Sequence, residues 1–131
     1  MITPGTGAPP RRLILVVEDD REAGNVFREI LEHHDYAVHL VANSEDALED
    51  LERDVPLGMV IDLHLATMEA PALLRRVRAD ARFAALPAAV VTGDYLVDEA
   101  TAQDLASLGA RLYFKPIWGV DILQFVSTFA A

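Results

Sequence analysis

The sequence predicts an α/β domain in which a parallel β-sheet is covered by helices on both faces. Three observations predict this fold: short apolar runs recur along the chain, segments with helical periodicity separate them, and turn-prone or polar residues flank them. Strands of a parallel sheet are buried on both faces, so they read as continuous apolar runs. Alternation of such strands with helices implies right-handed crossovers and a doubly wound sheet.

Five apolar runs are the candidate strands, and they are short and often β-branched, as buried strands are. They span Leu13–Val17, Ala37–Val41, 59–61, 88–91 and 112–114. Each is followed by polar or turn-forming residues, which indicates that each run ends at a loop.

Five segments have helical features. The first carries one apolar stripe with i, i+3, i+4 spacing, formed by Ala23, Val26, Phe27, Ile30 and Leu31. The second, "NSEDALEDLERD", opens with the capping residues Asn43 and Ser44. The third begins near Pro71, and the fourth covers about 97–108 and stops at Gly109. The last stripe consists of Ile122, Phe125, Val126 and Phe129.

Length and composition indicate one domain with a substantial core. The chain has 131 residues, of which 52% are hydrophobic, and no apolar run approaches the ~20 residues that span a bilayer. The net charge of −10 argues against binding to nucleic acid or to an anionic membrane. The absence of cysteine fits a reducing cytosol. The Pro- and Gly-rich residues 1–11 are expected to be a flexible leader, and 12–131 the domain.

Polar side chains follow four of the predicted strands where ligands bind in such sheets, at the carboxyl ends of the strands. They supply three carboxylates, one hydroxyl and one ammonium, from Glu18, Asp19, Asp62, Thr92 and Lys115. Neighbouring carboxylates raise one another's pKa, and a hard divalent ion such as Mg²⁺ relieves that repulsion. Phosphoryl transfer needs this kind of charge neutralisation, and Asp62 is then the candidate nucleophile.

The blocks "LILVVEDD", "GMVIDLHLATM", "AAVVTGD" and "LYFKP" occur in this order along the chain. In sequence and separation they resemble the signature blocks of bacterial response-regulator receiver domains, over a region from about Arg12 to the chain end. The resemblance implies a flavodoxin-like fold with strand order 2-1-3-4-5. It also implies a cytoplasmic two-component signalling domain that is switched by phosphorylation and is not an enzyme acting on a separate substrate.

Carried over by position, the resemblance makes Asp62 the acceptor of a phosphoryl group from a histidine kinase or a histidine phosphotransfer protein. It implies a Mg²⁺ site, with Mn²⁺ as an alternative ion, in which Asp19 is a direct ligand and Glu18 acts through water. The backbone carbonyl of His64 would complete this site, so the imidazole of His64 need not touch the ion.

The resemblance also assigns the phosphate-binding residues. Thr92 would donate a hydrogen bond to a phosphoryl oxygen, and Lys115 would pair with the phosphate. Pro116 matches the family's proline in the loop after strand 5. Because the final helix ends the sequence, the expected output is a protein contact: a downstream partner or a second copy would dock on the face formed by helix 4, strand 5 and helix 5.

Three positions depart from the family pattern. Ala66 and Ala70 replace a proline and a glycine in the loop after strand 3, which predicts a reshaped loop or an early start to helix 3. Leu112 stands where the family carries the aromatic residue of its switch. Tyr113 comes one residue later, and strand alternation points it to the other face of the sheet.

Two alternatives to a phosphoacceptor receiver remain open, and the departures favour the first of them. One is a receiver-like adaptor that binds partners independently of phosphorylation. The other is a hydrolase of the haloacid dehalogenase kind, which also forms an aspartyl phosphate; that family requires an acid where this chain has His64.

Overall fold

The computed structural model describes residues 12–115 and 119–130, so the predicted leader 1–11 and Pro116 lie outside the described residues. The five strands are β1 Leu13–Val17, β2 Ala37–Val41, β3 Gly58–Asp62, β4 Ala88–Thr92 and β5 Ala110–Phe114. The five α-helices are α1 Arg21–His33, α2 Ser44–Arg53, α3 Ala70–Ala79, α4 Glu99–Ser107 and α5 Gly119–Ser127. Short 3₁₀ turns cover Ala81–Phe83 and Thr128–Ala130.

The five strands form one parallel sheet in the order β2-β1-β3-β4-β5, as the resemblance implies. The bounds of β1 and β2 agree with the predicted runs, whereas β3, β4 and β5 are longer than predicted. The polar residues Asp62 and Thr92 remain in the ladder, opposite Val91 and Phe114 respectively, because strand pairing needs only their backbone groups.

Two apolar clusters cover the two faces of the sheet. On one face, α2, α3 and α4 pack Leu51, Leu73 and Leu105 against the strands. On the other face, α1 and α5 contribute Leu31 and Phe125. The predicted doubly wound α/β fold is therefore confirmed. Among the described residues, every helix is too short or too polar to cross a membrane.

Capping residues define the start of α1 and both ends of α4. Asp20 is the N-cap of α1, where its side chain accepts hydrogen bonds from the backbone N–H groups of Glu22 (3.0 Å) and Ala23 (3.5 Å). Helix α4 begins after its N-cap Asp98, later than the predicted start. It ends before Gly109, whose φ of +74° is a conformation that glycine adopts at little cost.

Candidate functional site

The parallel register brings the predicted site residues to one edge of the sheet. Glu18 and Asp19 directly follow β1, Asp62 and Thr92 are the last residues of β3 and β4, and Lys115 directly follows β5. Because all five strands run in the same direction, these positions meet at the carboxyl edge.

Glu18, Asp19 and Asp62 form an acid cluster. Each offers one carboxylate oxygen, and these three oxygens lie within 4.8 Å of one another. The Glu18 residue is buried (4% exposed), Asp62 is half-buried and Asp19 is exposed. Carboxylate oxygens that converge from separate loops, with one side open to solvent, are a donor set that suits Mg²⁺ or Mn²⁺. The residues present therefore fit a divalent cation.

Lys115 reaches into the acid cluster from the end of the edge strand β5. Its Nζ lies 3.3 Å from Glu18 Oε1 and 3.5 Å from Asp62 Oδ1. The backbone N–H of Lys115 donates to the carbonyl of Thr92 at 2.7 Å, which fixes the start of the loop after β5. One ammonium thus faces two of the three carboxylates.

Burial is the first cause of the pKa shifts of the two acids in this cluster, and the neighbouring charges come second. Burial and the nearby Asp62 carboxylate raise the pKa of Glu18 despite the attraction of Lys115. Burial also raises the pKa of Asp62, against the opposing effect of Lys115, and Asp19 adds to the increase. Burial disfavours the charged form of Lys115, but the two carboxylates outweigh that effect and raise the Lys115 pKa. One lysine does not balance three acids, so a further cation would be stabilised here.

Thr92 lies beside this cluster with its side chain buried (1% exposed). Its Oγ1 accepts a hydrogen bond from the backbone N–H of Asp94 at 3.0 Å. The hydroxyl is the acceptor in that bond, so its own proton remains available for donation to an anion.

The side chain of His64 forms a bridge that the sequence analysis did not anticipate. Its Nδ1 lies 2.5 Å from Glu69 Oε1, and its Nε2 lies 3.0 Å from Asp94 Oδ2. These hydrogen bonds, the Glu69 bond first, raise the pKa of His64. The bridge joins the loop after β3 to the loop after β4, at the rim of the acid cluster. Only the carbonyl of His64 was expected to contribute to the site.

Two backbone hydrogen bonds anchor the loop after β3, which carries Ala66 and leads to Ala70. The backbone N–H of Leu63 donates to the carbonyl of Val91 (2.9 Å), and that of Ala70 donates to the carbonyl of Leu63 (3.1 Å). The Leu65 side chain is buried (4% exposed), and helix α3 begins at Ala70 itself. Buried leucines and these backbone bonds anchor the loop, and the acid cluster forms beside it.

The two faces of β5 separate Leu112 from Tyr113, as strand alternation predicts. Leu112 is half-buried and packs against the core on the α2–α3–α4 side. Tyr113 belongs to the opposite cluster, where its ring stacks on Phe125 with centroids 4.6 Å apart. An aliphatic side chain therefore occupies the position where the family carries an aromatic one.

Comparison with known proteins assigns the family. The family model for the response regulator receiver domain matches residues 14–126. A protein of Leptolyngbya boryana described as an uncharacterized 14.6 kDa protein in the sodA1 3′ region is 30% identical over 116 residues, which are 88% of each chain. The response regulator receiver protein of Pseudomonas putida is 28% identical, with a TM-score of 0.83 over 92% of this chain and 99% of that one.

A further solved structure shares the fold at lower identity. It is the receiver domain of a sensor histidine kinase from Pseudomonas aeruginosa PAO1, with a TM-score of 0.81 and 21% identity over 92% of this chain and 99% of that one. That domain has a magnesium ion coordinated in its active-site cleft. The chain belongs to the response regulator receiver domains, the signalling modules of two-component systems.

Proposed function

We propose that this receiver domain accepts a phosphoryl group on Asp62 in a Mg²⁺-dependent reaction. One observation carries the proposal: three carboxylates lie within 4.8 Å of one another, and the Lys115 ammonium lies 3.5 Å from Asp62. An array with this much excess negative charge is costly unless it holds a cation, and a cation beside a lysine attracts phosphoryl oxygens.

Asp62 is the most suitable nucleophile of the three acids. Glu18 is almost fully buried, so an incoming phosphorus atom could not approach its carboxylate freely. Asp19 is exposed and lies farther along the loop after β1. Asp62 is half-buried at the end of the central strand β3 and has both the acids and the ammonium as neighbours.

The acid cluster would hold the metal ion through Asp19, Asp62 and the backbone carbonyl of His64, with Glu18 acting through water. Mn²⁺ is an alternative ion, since it prefers the same oxygen ligands. When bound, such an ion neutralises charge on the phosphoryl oxygens and on the attacking carboxylate. The relative from Pseudomonas aeruginosa with magnesium in its cleft supports this part of the proposal.

The chain's own residues then account for the transfer. A carboxylate oxygen of Asp62 attacks the phosphorus of a phosphohistidine, and the phosphorus–nitrogen bond breaks as the new oxygen–phosphorus bond forms. The imidazole nitrogen keeps the bonding electron pair and takes a proton from solvent. Thr92 donates its hydroxyl proton to a phosphoryl oxygen, and Lys115 pairs with the added negative charge. The donor is a histidine kinase or a histidine phosphotransfer protein.

Signalling would then proceed through protein contacts, without turnover of a separate substrate. The face formed by α4, β5 and α5 lies next to the site, since Lys115 directly follows β5. A downstream partner or a second copy of the chain would dock there.

Labelling by a small phosphodonor such as acetyl phosphate tests this proposal. We expect the wild-type chain to take up phosphate only when Mg²⁺ is present, and Asp62→Asn to take up none. Asp20→Asn is the matched control, because it makes the same change in an exposed acid that caps α1 outside the cluster. Labelling that is independent of Mg²⁺, or that persists in Asp62→Asn, would contradict the proposal.

The packing of Leu112 supports a second candidate, an adaptor whose partner binding ignores phosphorylation. An aliphatic side chain held in the α2–α3–α4 core offers no ring that could rotate between two states. A folded wild-type chain that takes no label in Mg²⁺, yet binds its partner, is the result expected of an adaptor.

A further inference from the structure

A buried hydroxyl ties helix α2 to the loop after β3. Ser44 is the first residue of α2, and its side chain is fully buried (0% exposed). Its Oγ donates a hydrogen bond of 2.8 Å to the backbone carbonyl of Met68, 24 positions further along the chain. The N-cap of α2 is the preceding residue, Asn43, whose side chain accepts from the backbone N–H of Asp46 at 2.8 Å. Because Asn43 caps the helix, the Ser44 hydroxyl is free to bond to a different element.

The loop after β3 is also closed on itself. The backbone N–H of Ala70, at the start of α3, donates to the carbonyl of Leu63 (3.1 Å). Within that closure, the carboxylate of Glu69 lies 2.5 Å from Nδ1 of His64. Both contacts join the end of the loop to its beginning, and the Met68 carbonyl is where the loop is bonded to α2. A displacement of Met68 would therefore move Glu69, the next residue, and through it His64.

The composition of the loop makes this bond to α2 important. Ala66 and Ala70 stand where the family pattern has a proline and a glycine. Since proline fixes φ, an alanine at position 66 leaves the backbone more conformational freedom to lose on folding. Leu65 is buried (4% exposed), whereas four of the seven residues between β3 and α3 are exposed, namely His64, Ala66, Thr67 and Glu69. A buried hydrogen bond to a helix restricts such a loop without a proline.

We infer that Ser44 is a positioning residue for the metal site: its hydroxyl holds the loop after β3, so that the backbone carbonyl of His64 stays in place as a ligand. The inference rests on the function proposed above, in which that carbonyl binds the divalent ion together with Asp19 and Asp62. Ser44 itself lies outside the acid cluster and acts through Met68. Without the hydroxyl, the half-buried Met68 carbonyl loses its donor, and the loop gains the freedom to move toward another one.

Calorimetric titration with Mg²⁺, at a temperature where every chain is folded, tests the positioning role. Ser44→Ala removes the hydroxyl and keeps the Cβ, and we expect it to bind Mg²⁺ about threefold or more weakly than the wild type. Ser127→Ala is the matched control, because the Ser127 hydroxyl also donates to a backbone carbonyl, that of Gln124 at 2.6 Å, at the end of α5. It should bind Mg²⁺ with the affinity of the wild type.

A second control separates positioning from global stability. In Gly58→Ala, the added Cβ would clash with the ring of Phe129 at the start of β3, whereas Asp62 lies at the end of that strand. We expect this variant to be less stable than the wild type and to retain the wild-type affinity for Mg²⁺. A loss of affinity that came only from reduced stability would appear in Gly58→Ala as well.

Hydrogen exchange in chelator measures the loop without the metal ion. The Ala70 amide reports the closure of the loop, and the Val90 amide, in the middle of β4, reports the sheet. In Ser44→Ala, we expect the exchange rate of Ala70 to rise about threefold or more relative to that of Val90. In Gly58→Ala, the Ala70 rate should rise no more than the Val90 rate.

Three results would overturn the inference. They are equal Mg²⁺ affinities of Ser44→Ala and Ser127→Ala, an affinity loss in Gly58→Ala as large as that in Ser44→Ala, or an unchanged ratio of the Ala70 and Val90 exchange rates in Ser44→Ala. A wild-type chain that binds no Mg²⁺ contradicts the proposed function, and the metal-positioning role with it. The exchange ratio distinguishes that failure, because it shows whether Ser44 holds the loop when no ion is present.

Discussion

Replacing Asp62 by asparagine removes one carboxylate from the acid cluster and keeps the size and shape of the side chain. In the absence of a divalent ion, we expect this variant to be more stable than the wild type. The reason is that burial, with a smaller contribution from the Asp19 carboxylate, raises the pKa of Asp62 against the opposing effect of Lys115, which means that the folded protein disfavours the charged form relative to the unfolded chain.

The distances in the site give the magnitude. Two unit charges 4.8 Å apart, the largest separation within the cluster, repel by about 1 kcal/mol in water and about 3.5 kcal/mol at an effective dielectric constant of ~20. Asp62 has two such repulsions and one attraction to Lys115 at 3.5 Å, so the net repulsion is about 0.5 to 2 kcal/mol. Because Asp19 is exposed, we take about 1 kcal/mol, which raises the melting temperature of a domain of this size by about 4 °C.

Thermal unfolding, followed by circular dichroism in a chelator at neutral pH, measures this effect. We expect Asp62→Asn to melt about 4 °C above the wild type. Addition of Mg²⁺ should stabilise the wild type by mass action and the variant less, because the variant has lost a ligand. Asp20→Asn again serves as the control and should follow the wild type in both conditions. A variant that melts below the wild type in chelator, or equal stabilisation of both chains by Mg²⁺, would refute the reasoning.

Two further outcomes follow from the structure. In Gly58→Ala, the added Cβ would clash with the ring of Phe129, so we expect a loss of about 1 to 3 kcal/mol in the free energy of unfolding. Gly93→Ala is the control, because its added Cβ meets no heavy atom within 4 Å. An NMR titration in chelator should give His64 a pKa above the ordinary histidine value of 6.5, because its ring is hydrogen-bonded to Glu69 and to Asp94. Glu69→Gln should lower that pKa. The stability from this interaction is fully present below the unfolded pKa of about 6.5 and is lost as pH rises through the higher folded pKa, so the stabilities of wild type and Glu69→Gln should differ at acid pH and converge once the pH exceeds the folded pKa. An unchanged pKa in Glu69→Gln, or a difference that grows with pH, would contradict this account.

The fold could be predicted because burial on both faces leaves a clear signal in the sequence. The runs that form β1 and β2 stand out from polar surroundings, and their predicted bounds agree with the structure. The ends of the other strands were missed, since Asp62, Thr92 and Arg111 extend the ladder through backbone groups whatever their side chains are. The start of α1 is likewise set by structure: Asp20 is its N-cap, and the sequence does not specify such a boundary to within one residue.

The positions of the site residues followed from topology, because parallel strands bring their carboxyl ends to one edge. The loop contacts were not predictable in the same way. The bridge from His64 to Asp94 and the stack of Tyr95 on Phe114 join residues that are 30 and 19 positions apart, and no periodicity relates them. Such contacts depend on the paths of the loops after β3, β4 and β5, which tertiary packing determines.

The central claim is that Asp62 is the residue that carries the phosphoryl group. It is tested most directly by treating the chain with a phosphodonor in Mg²⁺, trapping the acyl phosphate with borohydride, and locating the modified residue by peptide mass spectrometry. Reduction of an aspartyl phosphate converts the aspartate to homoserine, so we expect homoserine at position 62 and only when Mg²⁺ was present. Homoserine at another aspartate, or its formation at position 62 in the presence of chelator, would contradict the account.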